Sequence, residues 1–97
     1  MRKKVVFEFS HKRVEIELGS ETIERQIAYA NGEDEEVENA ITARIYYVAK
    51  GKSCQDTYYY EDEGYACDAF EKVVSKLAAD SDTDVFEELC SCKGWAL

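Results

Sequence analysis

An α+β fold, an antiparallel β-meander of four to five strands packed against two C-terminal α-helices, is what the amino-acid sequence predicts. Three observations point to it. Apolar residues alternate over the first twenty positions, β-branched and aromatic residues crowd the middle, and an apolar stripe at helical spacing runs through the last third. Ninety-seven residues with no proline, no repeat and no low-complexity linker make one small domain, 1–97, able to bury roughly 60 to 65% of the surface of its unfolded chain.

Val5, Phe7 and Phe9 are apolar at odd positions, whereas Val14, Ile16 and Leu18 are apolar at even ones. One straight strand would turn half of them outward, so the chain must reverse. A hairpin closing around His11 and Lys12 pairs Phe9 with Val14, Phe7 with Ile16 and Val5 with Leu18, which restores one apolar face. The stretch "GSETIERQIAYANG", from Gly19 to Gly32 with residues 21–30 within it, fits either state. As a helix it has Ser20 as N-cap and Asn31-Gly32 as a stop; as a strand it pairs back through Leu18 with Ile23 and Val14 with Ile27, and the strand is preferred. "EDEEVEN" then becomes a solvated loop or a single helical turn.

Residues 37–49 are also double-edged, because Val37, Ile41, Ile45 and Val48 recur at helical spacing. Six of the eight residues from Ile41 to Val48 are β-branched or aromatic, which suits a pleated surface better. "KGKS" turns the chain into a last strand, "CQDTYYY". On that strand Tyr58 and Tyr60 share one face and Tyr59 takes the other, so at least one side of the triplet is expected at the surface. Ala66, Phe70, Val73, Val74 and Leu77 then form one helical stripe from about Ala66 to Ala79. A second helix begins at Asp84, whose side chain can cap it while Glu87 answers three residues later, carrying Phe86, Leu89 and Cys90 inward. Gly94 is placed to end it in a left-handed conformation, with Trp95 and Leu97 folding back.

Charge is the compositional outlier. The chain carries 21 acids against 12 Lys and Arg, a net charge of −9. Arg2, Lys3, Lys4, Lys12 and Arg13 against Glu8 alone leave the first thirteen residues near +4, so the remainder is near −13. A body this acidic repels nucleic acid and anionic lipid and steers toward basic partners over roughly 8 to 10 Å. No apolar run approaches the roughly 20 residues of a membrane span. "MRKKVVFEFS" imitates a basic n-region, but Glu8 interrupts its apolar run and no small-residue cleavage site follows. The expectation is a cytoplasmic protein without membrane or direct nucleic-acid contact, monomeric or a homodimer.

Motifs for chemistry are few. Cys54, Cys67, Cys90 and Cys92 could in principle hold zinc, but only "CSC" is a close pair, and on a helix Cys90 and Cys92 point about 200° apart. The reading is free thiols, with a zinc-stabilised domain as the alternative. "DSDTDVFEELCS" opens like a calcium loop with Asp80, Asp82 and Asp84, yet Val85 stands where that loop needs glycine and Ser91 where it needs glutamate. His11 is the single histidine and falls in the hairpin turn, and the glycines stand singly in no phosphate-cradling spacing. The sequence therefore predicts no enzyme and no cofactor.

The acids themselves remain. They form three runs: Glu33, Asp34, Glu35, Glu36 and Glu38; Glu61, Asp62 and Glu63; Asp80, Asp82, Asp84, Glu87 and Glu88. Carboxylates at intervals with tyrosines between them can stand in for phosphates and bases in a groove lined by arginine and lysine. In kind, though through no shared motif, the chain resembles the small acidic proteins, often phage-encoded, that inhibit nucleic-acid-binding enzymes, among them anti-CRISPR proteins and other DNA mimics. That resemblance implies a protein-binding inhibitor with a basic, nucleic-acid-binding protein as partner. The expected contact residues are Glu35, Glu36, Tyr58, Tyr60, Glu61, Asp62 and Glu63. A homo-oligomeric module burying Tyr46, Tyr47 and the tyrosine triplet between copies is the other alternative.

Overall fold

The chain order of the strands is also their order in the sheet, β1-β2-β3-β4-β5, every neighbouring pair antiparallel. The computed structural model describes residues 2–25, 33–92 and 94–96, with the backbone alone for 20–25, 33–38, 95 and 96. Four long strands, β1 (Lys3–Glu8), β2 (Lys12–Arg25), β3 (Glu33–Tyr47) and β4 (Lys52–Tyr59), lead into α1 (Glu63–Ala79) and α2 (Val85–Ser91). A two-residue strand, β5 (Trp95–Ala96), returns to β4 opposite Tyr58 and Tyr59. The α+β meander with two C-terminal helices is thus the fold of the protein, and no helix among the described residues is long and apolar enough to cross a membrane.

The alternation that predicted the first hairpin sets its face but not its register. Phe7 pairs with Val14, Val5 with Ile16 and Lys3 with Leu18, two residues away from the expected pairing. The Phe9 N–H donates to the Lys12 carbonyl at 2.9 Å, so Ser10 and His11 alone make the turn. A two-residue slip keeps every side chain on its own face, which is why periodicity cannot detect it. Gly51, at φ +61°, turns β3 into β4 as "KGKS" suggested, its N–H donating to the Tyr47 carbonyl at 3.0 Å.

Two expectations fail around the acidic run. Leu18 does not fold back onto Ile23: both lie on the single strand β2, where Leu18 faces Ile41 and Ile23 faces Glu35. "EDEEVEN" is neither loop nor helical turn but the first half of β3, paired with Glu21–Arg25. The proposed pairing of Val14 with Ile27 falls on 26–32, outside the described residues. Where this extension meets the rest of the sheet the register shifts between Gly19 and Glu21, and Asn39 sits at φ 59°. This is a β-bulge with asparagine, the residue besides glycine that best tolerates the left-handed region, in the strained position.

One face of the sheet carries Val14, Ile16, Leu18, Ile41, Ala43, Ile45 and Tyr58. Onto it pack Ala66, Ala69, Phe70, Val73 and Leu77 of α1 and Val85 and Leu89 of α2, each large aliphatic worth about 1.5 to 3 kcal/mol of transfer free energy. α1 crosses β2 and β3, and α2 lies against β4. The predicted stripe of α1 is the buried one, except that Val74 is half-buried and Ala69 joins it. In α2, Asp84 caps as expected, its carboxylate accepting from the Glu87 N–H at 3.2 Å. Its inward residues, however, are Val85 and Leu89, with Phe86 half-buried and Cys90 exposed. Starting one residue after the cap rotates the buried face by one position.

Gly94 does not adopt the left-handed conformation; Gly51 alone has positive φ among the described glycines. Its requirement is space. A Cβ there would stand 2.8 Å from the Leu89 carbonyl oxygen and 2.8 Å from the Tyr60 hydroxyl. That hydroxyl donates to the same Leu89 carbonyl at 2.9 Å, tying β4 to α2 directly beneath the glycine.

Candidate functional site

The tyrosine triplet ends against the bulge of β3. The Tyr60 N–H donates to the Asn39 carbonyl at 3.2 Å, one residue past the last β4 ladder position. The chain then turns outward through Glu61 and Asp62 into α1. Asp62 is the N-cap, accepting from the Tyr65 N–H at 2.9 Å, and Glu63 lies in the first turn, where the helix dipole favours an acid. All three acids are exposed. Because Glu38 immediately precedes Asn39, and Glu61 immediately follows Tyr60, one hydrogen bond brings the first and second acidic runs to the same corner. Glu35 and Glu36 stand three to four residues farther out along β3, opposite Ile23 and Thr22, roughly 10 to 13 Å from Asn39 at the rise of a strand.

Of the seven expected contact residues, Tyr58 and Tyr60 are core instead. They are 4% and 0% exposed, and burial pushes both phenols above the usual tyrosine range. The strand parity was right that Tyr59 takes the other face, where it is half-buried. What it missed is that the face shared by Tyr58 and Tyr60 is the one beneath the helices, so neither ring reaches a partner. The same burial removes Tyr58 and Tyr60, though not Tyr59, from any seam between copies.

The aromatic at the corner is Tyr65, 49% exposed on the first turn of α1. It borders a depression of about 240 Å³ lined by Asp68, Ala69, Lys72, Ser91 and Cys92. A sequence signal for it existed, since Tyr65 lies one position, about 100°, off the buried stripe that begins at Ala66.

The third acidic run is elsewhere and occupied. α1, 17 residues long, separates it from the corner by about 25 Å. Asp80 accepts from the Asp82 N–H at 2.9 Å, Asp84 caps α2, and Glu88 meets Lys76 at 2.8 Å. Two of the three calcium-like aspartates, Asp80 and Asp84, therefore serve the connection between helices.

The basic N-terminal end does not form a free patch. Lys4 pairs with Glu15, Lys3 lies 3.9 Å from Glu71, and Arg13 lies 3.7 Å from Glu8. The Lys4 ammonium, hydrogen-bonded to Glu15, holds that carboxyl below its usual value. Lys12 is buried to 7% exposure opposite Tyr47. On the outer sheet face Arg44 extends the ladder, reaching Gln55 at 3.2 Å and Glu17 at 3.5 Å.

The four cysteines are free, Cys54 and Cys90 exposed, Cys67 and Cys92 half-buried. No three His, Cys, Asp or Glu side chains converge on a point among the described residues, so the structure does not assemble the cysteines into a zinc site. His11 is exposed in its turn, its ring 6.0 Å from that of Phe9.

Compared with protein-family models, with curated proteins and with solved structures, the chain matches none. The corner is therefore interpreted from its own chemistry. Exposed carboxylates around one half-exposed tyrosine can accept hydrogen bonds from guanidinium and ammonium groups, arginine bidentately.

Proposed function

We propose that this is a small protein-binding module whose acidic corner engages a basic protein, acting as an inhibitor that occupies a groove otherwise used by nucleic acid. The observation that carries the reading is the bond from the Tyr60 N–H to the Asn39 carbonyl, which brings the backbone at the end of the first acidic run to the start of the second. Glu61, Asp62 and Glu63, with Glu35 and Glu36 along β3, supply carboxylates that stand in for phosphates. Tyr65 replaces Tyr58 and Tyr60 as the aromatic contact, and the depression beside it suits a side chain of the partner. Asp62 is already engaged in capping, so Glu61 and Glu63 carry more of the interaction.

The test uses immobilised protein and a fraction of basic, nucleic-acid-binding proteins. A bound protein should associate more slowly as salt rises, because rim charges act mainly on the association rate. Reversal of both Glu61→Lys and Glu63→Lys should lower that rate about tenfold while the thermal midpoint falls by only a few degrees, the loss of one favourable helix-dipole charge at Glu63, and nucleic acid should compete. Binding indifferent to salt and to the double reversal would sink the reading.

A further inference from the structure

The sheet has two edges of opposite character. Beyond the two residues covered by β5, the free edge of β4 offers Lys52, Ser53, Cys54, Gln55 and Asp56, all exposed and none a large apolar residue. β1, paired only with β2 among the described residues, offers Lys-Lys-Val-Val-Phe-Glu. Val6 is 41% exposed on its outer face, and Val5 and Phe7 are only half-buried on its inner face. It has neither proline nor bulge, two devices by which edge strands block pairing.

The phase of the ladder fixes which groups that edge presents. The bond from the Phe9 N–H to the Lys12 carbonyl lies in the same register as the β1–β2 pairs. In an antiparallel ladder the odd residues of β1 therefore direct their main-chain groups to β2, and Lys4, Val6 and Glu8 direct theirs outward. We propose that β1 pairs antiparallel with β1 of a second copy, with Val6 on the two-fold axis and Lys4 opposite Glu8 of the other copy. This register lets all three outward residues bond in every pair. It also places Lys4 against Glu8 twice on the outer face and Val5 against Phe7 twice on the inner face, which neighbouring in-phase registers do not. A two-fold axis requires such self-complementarity. Since α1 lies over β2 and β3, strands about 4.8 Å apart set the two α1 axes about 19 Å apart, beyond the roughly 10 Å of packed helices, so the helices do not collide. The gap between them is floored by Val5 and Phe7 of both copies.

Light scattering on the reduced protein, over a concentration series reaching high micromolar, should show the mass rising from 11.1 kDa toward twice that value. Reduction keeps the exposed Cys54 and Cys90 from contributing a covalent dimer. Amide exchange at Lys4, Val6 and Glu8 should slow with concentration, while exchange at Ser53 and Gln55 should not. Val6→Pro removes an N–H that β2 does not use, and should keep the fold but abolish the mass increase. Lys4→Glu should do the same by opposing two acids, and the double change Lys4→Glu with Glu8→Lys should restore the dimer. A single-copy mass throughout, protection appearing at Ser53 and Gln55 instead, or a dimer that survives folded Val6→Pro or Lys4→Glu would each overturn the proposal.

Discussion

Gly94→Ala should cost about 3 kcal/mol and lower the thermal midpoint by about 15 °C, measured by calorimetry or circular dichroism. The added methyl has no vacant direction. It meets the Leu89 carbonyl oxygen and the Tyr60 hydroxyl at 2.8 Å and the Tyr60 ring carbon at 2.9 Å. None of these yields cheaply, because Leu89 and Tyr60 are both fully buried. The methyl therefore separates β4 from α2 and breaks their shared hydrogen bond. Tyr60→Phe alone should cost about 1.5 kcal/mol, the loss of one buried bond. In the double variant the costs should be less than additive, since removing the hydroxyl removes one of the three obstructing atoms. A Gly94→Ala protein within about 0.5 kcal/mol of the parent would show that the close approach is not required.

The same ring sets an alkaline limit. Burial raises the Tyr60 and Tyr58 phenols in the folded chain, so each contributes stability that is present below the unfolded value near 10 and is lost as pH rises beyond it. Unfolding free energy should fall above about pH 10, and Tyr60→Phe should make that fall shallower.

Leu77→Ala should cost about 3 kcal/mol, against 1 kcal/mol or less, about a third of that, for Val74→Ala three residues earlier. Leu77 is 0% exposed within the cluster joining α1 to the sheet, whereas Val74 is half-buried at its margin. Truncating Leu77 opens a cavity that the close-packed neighbours cannot fill; truncating Val74 opens onto solvent. Denaturant titrations of the two variants decide it, and equal midpoint shifts would refute the assigned burial face.

Much of the fold was legible because burial writes a period into the sequence. The stripe Ala66, Phe70, Val73 and Leu77 and the alternations Val5-Phe7 and Val14-Ile16-Leu18 each name the face that packs. The outer half of the β2–β3 hairpin was not legible. Pairing Glu21–Arg25 with Glu33–Val37 places acids opposite one another's strands with only Ile23 and Val37 as large apolar residues, and a ladder built without an apolar face leaves no period to read. The register of the first hairpin was hidden because a two-residue slip changes no facing. The acidic corner was half visible: composition located Glu61, Asp62 and Glu63, but only the pairing of Tyr60 with Asn39 brings the Glu38 end of the first run to them. Tyr58 and Tyr60 were misassigned as contacts because strand parity says that two rings share a face without saying which.

The strand order also has a kinetic meaning. β2, β3 and β4 each pair with the strand before them, so most of the sheet forms between sequence neighbours and forfeits little chain entropy per step. β5 is the exception, reaching Tyr58 and Tyr59 only after both helices have intervened. Its docking should be the last event of folding: substitutions that weaken the Gly94 contact should speed unfolding and leave the folding rate nearly unchanged, and stopped-flow kinetics showing the reverse would place the clasp in the nucleus.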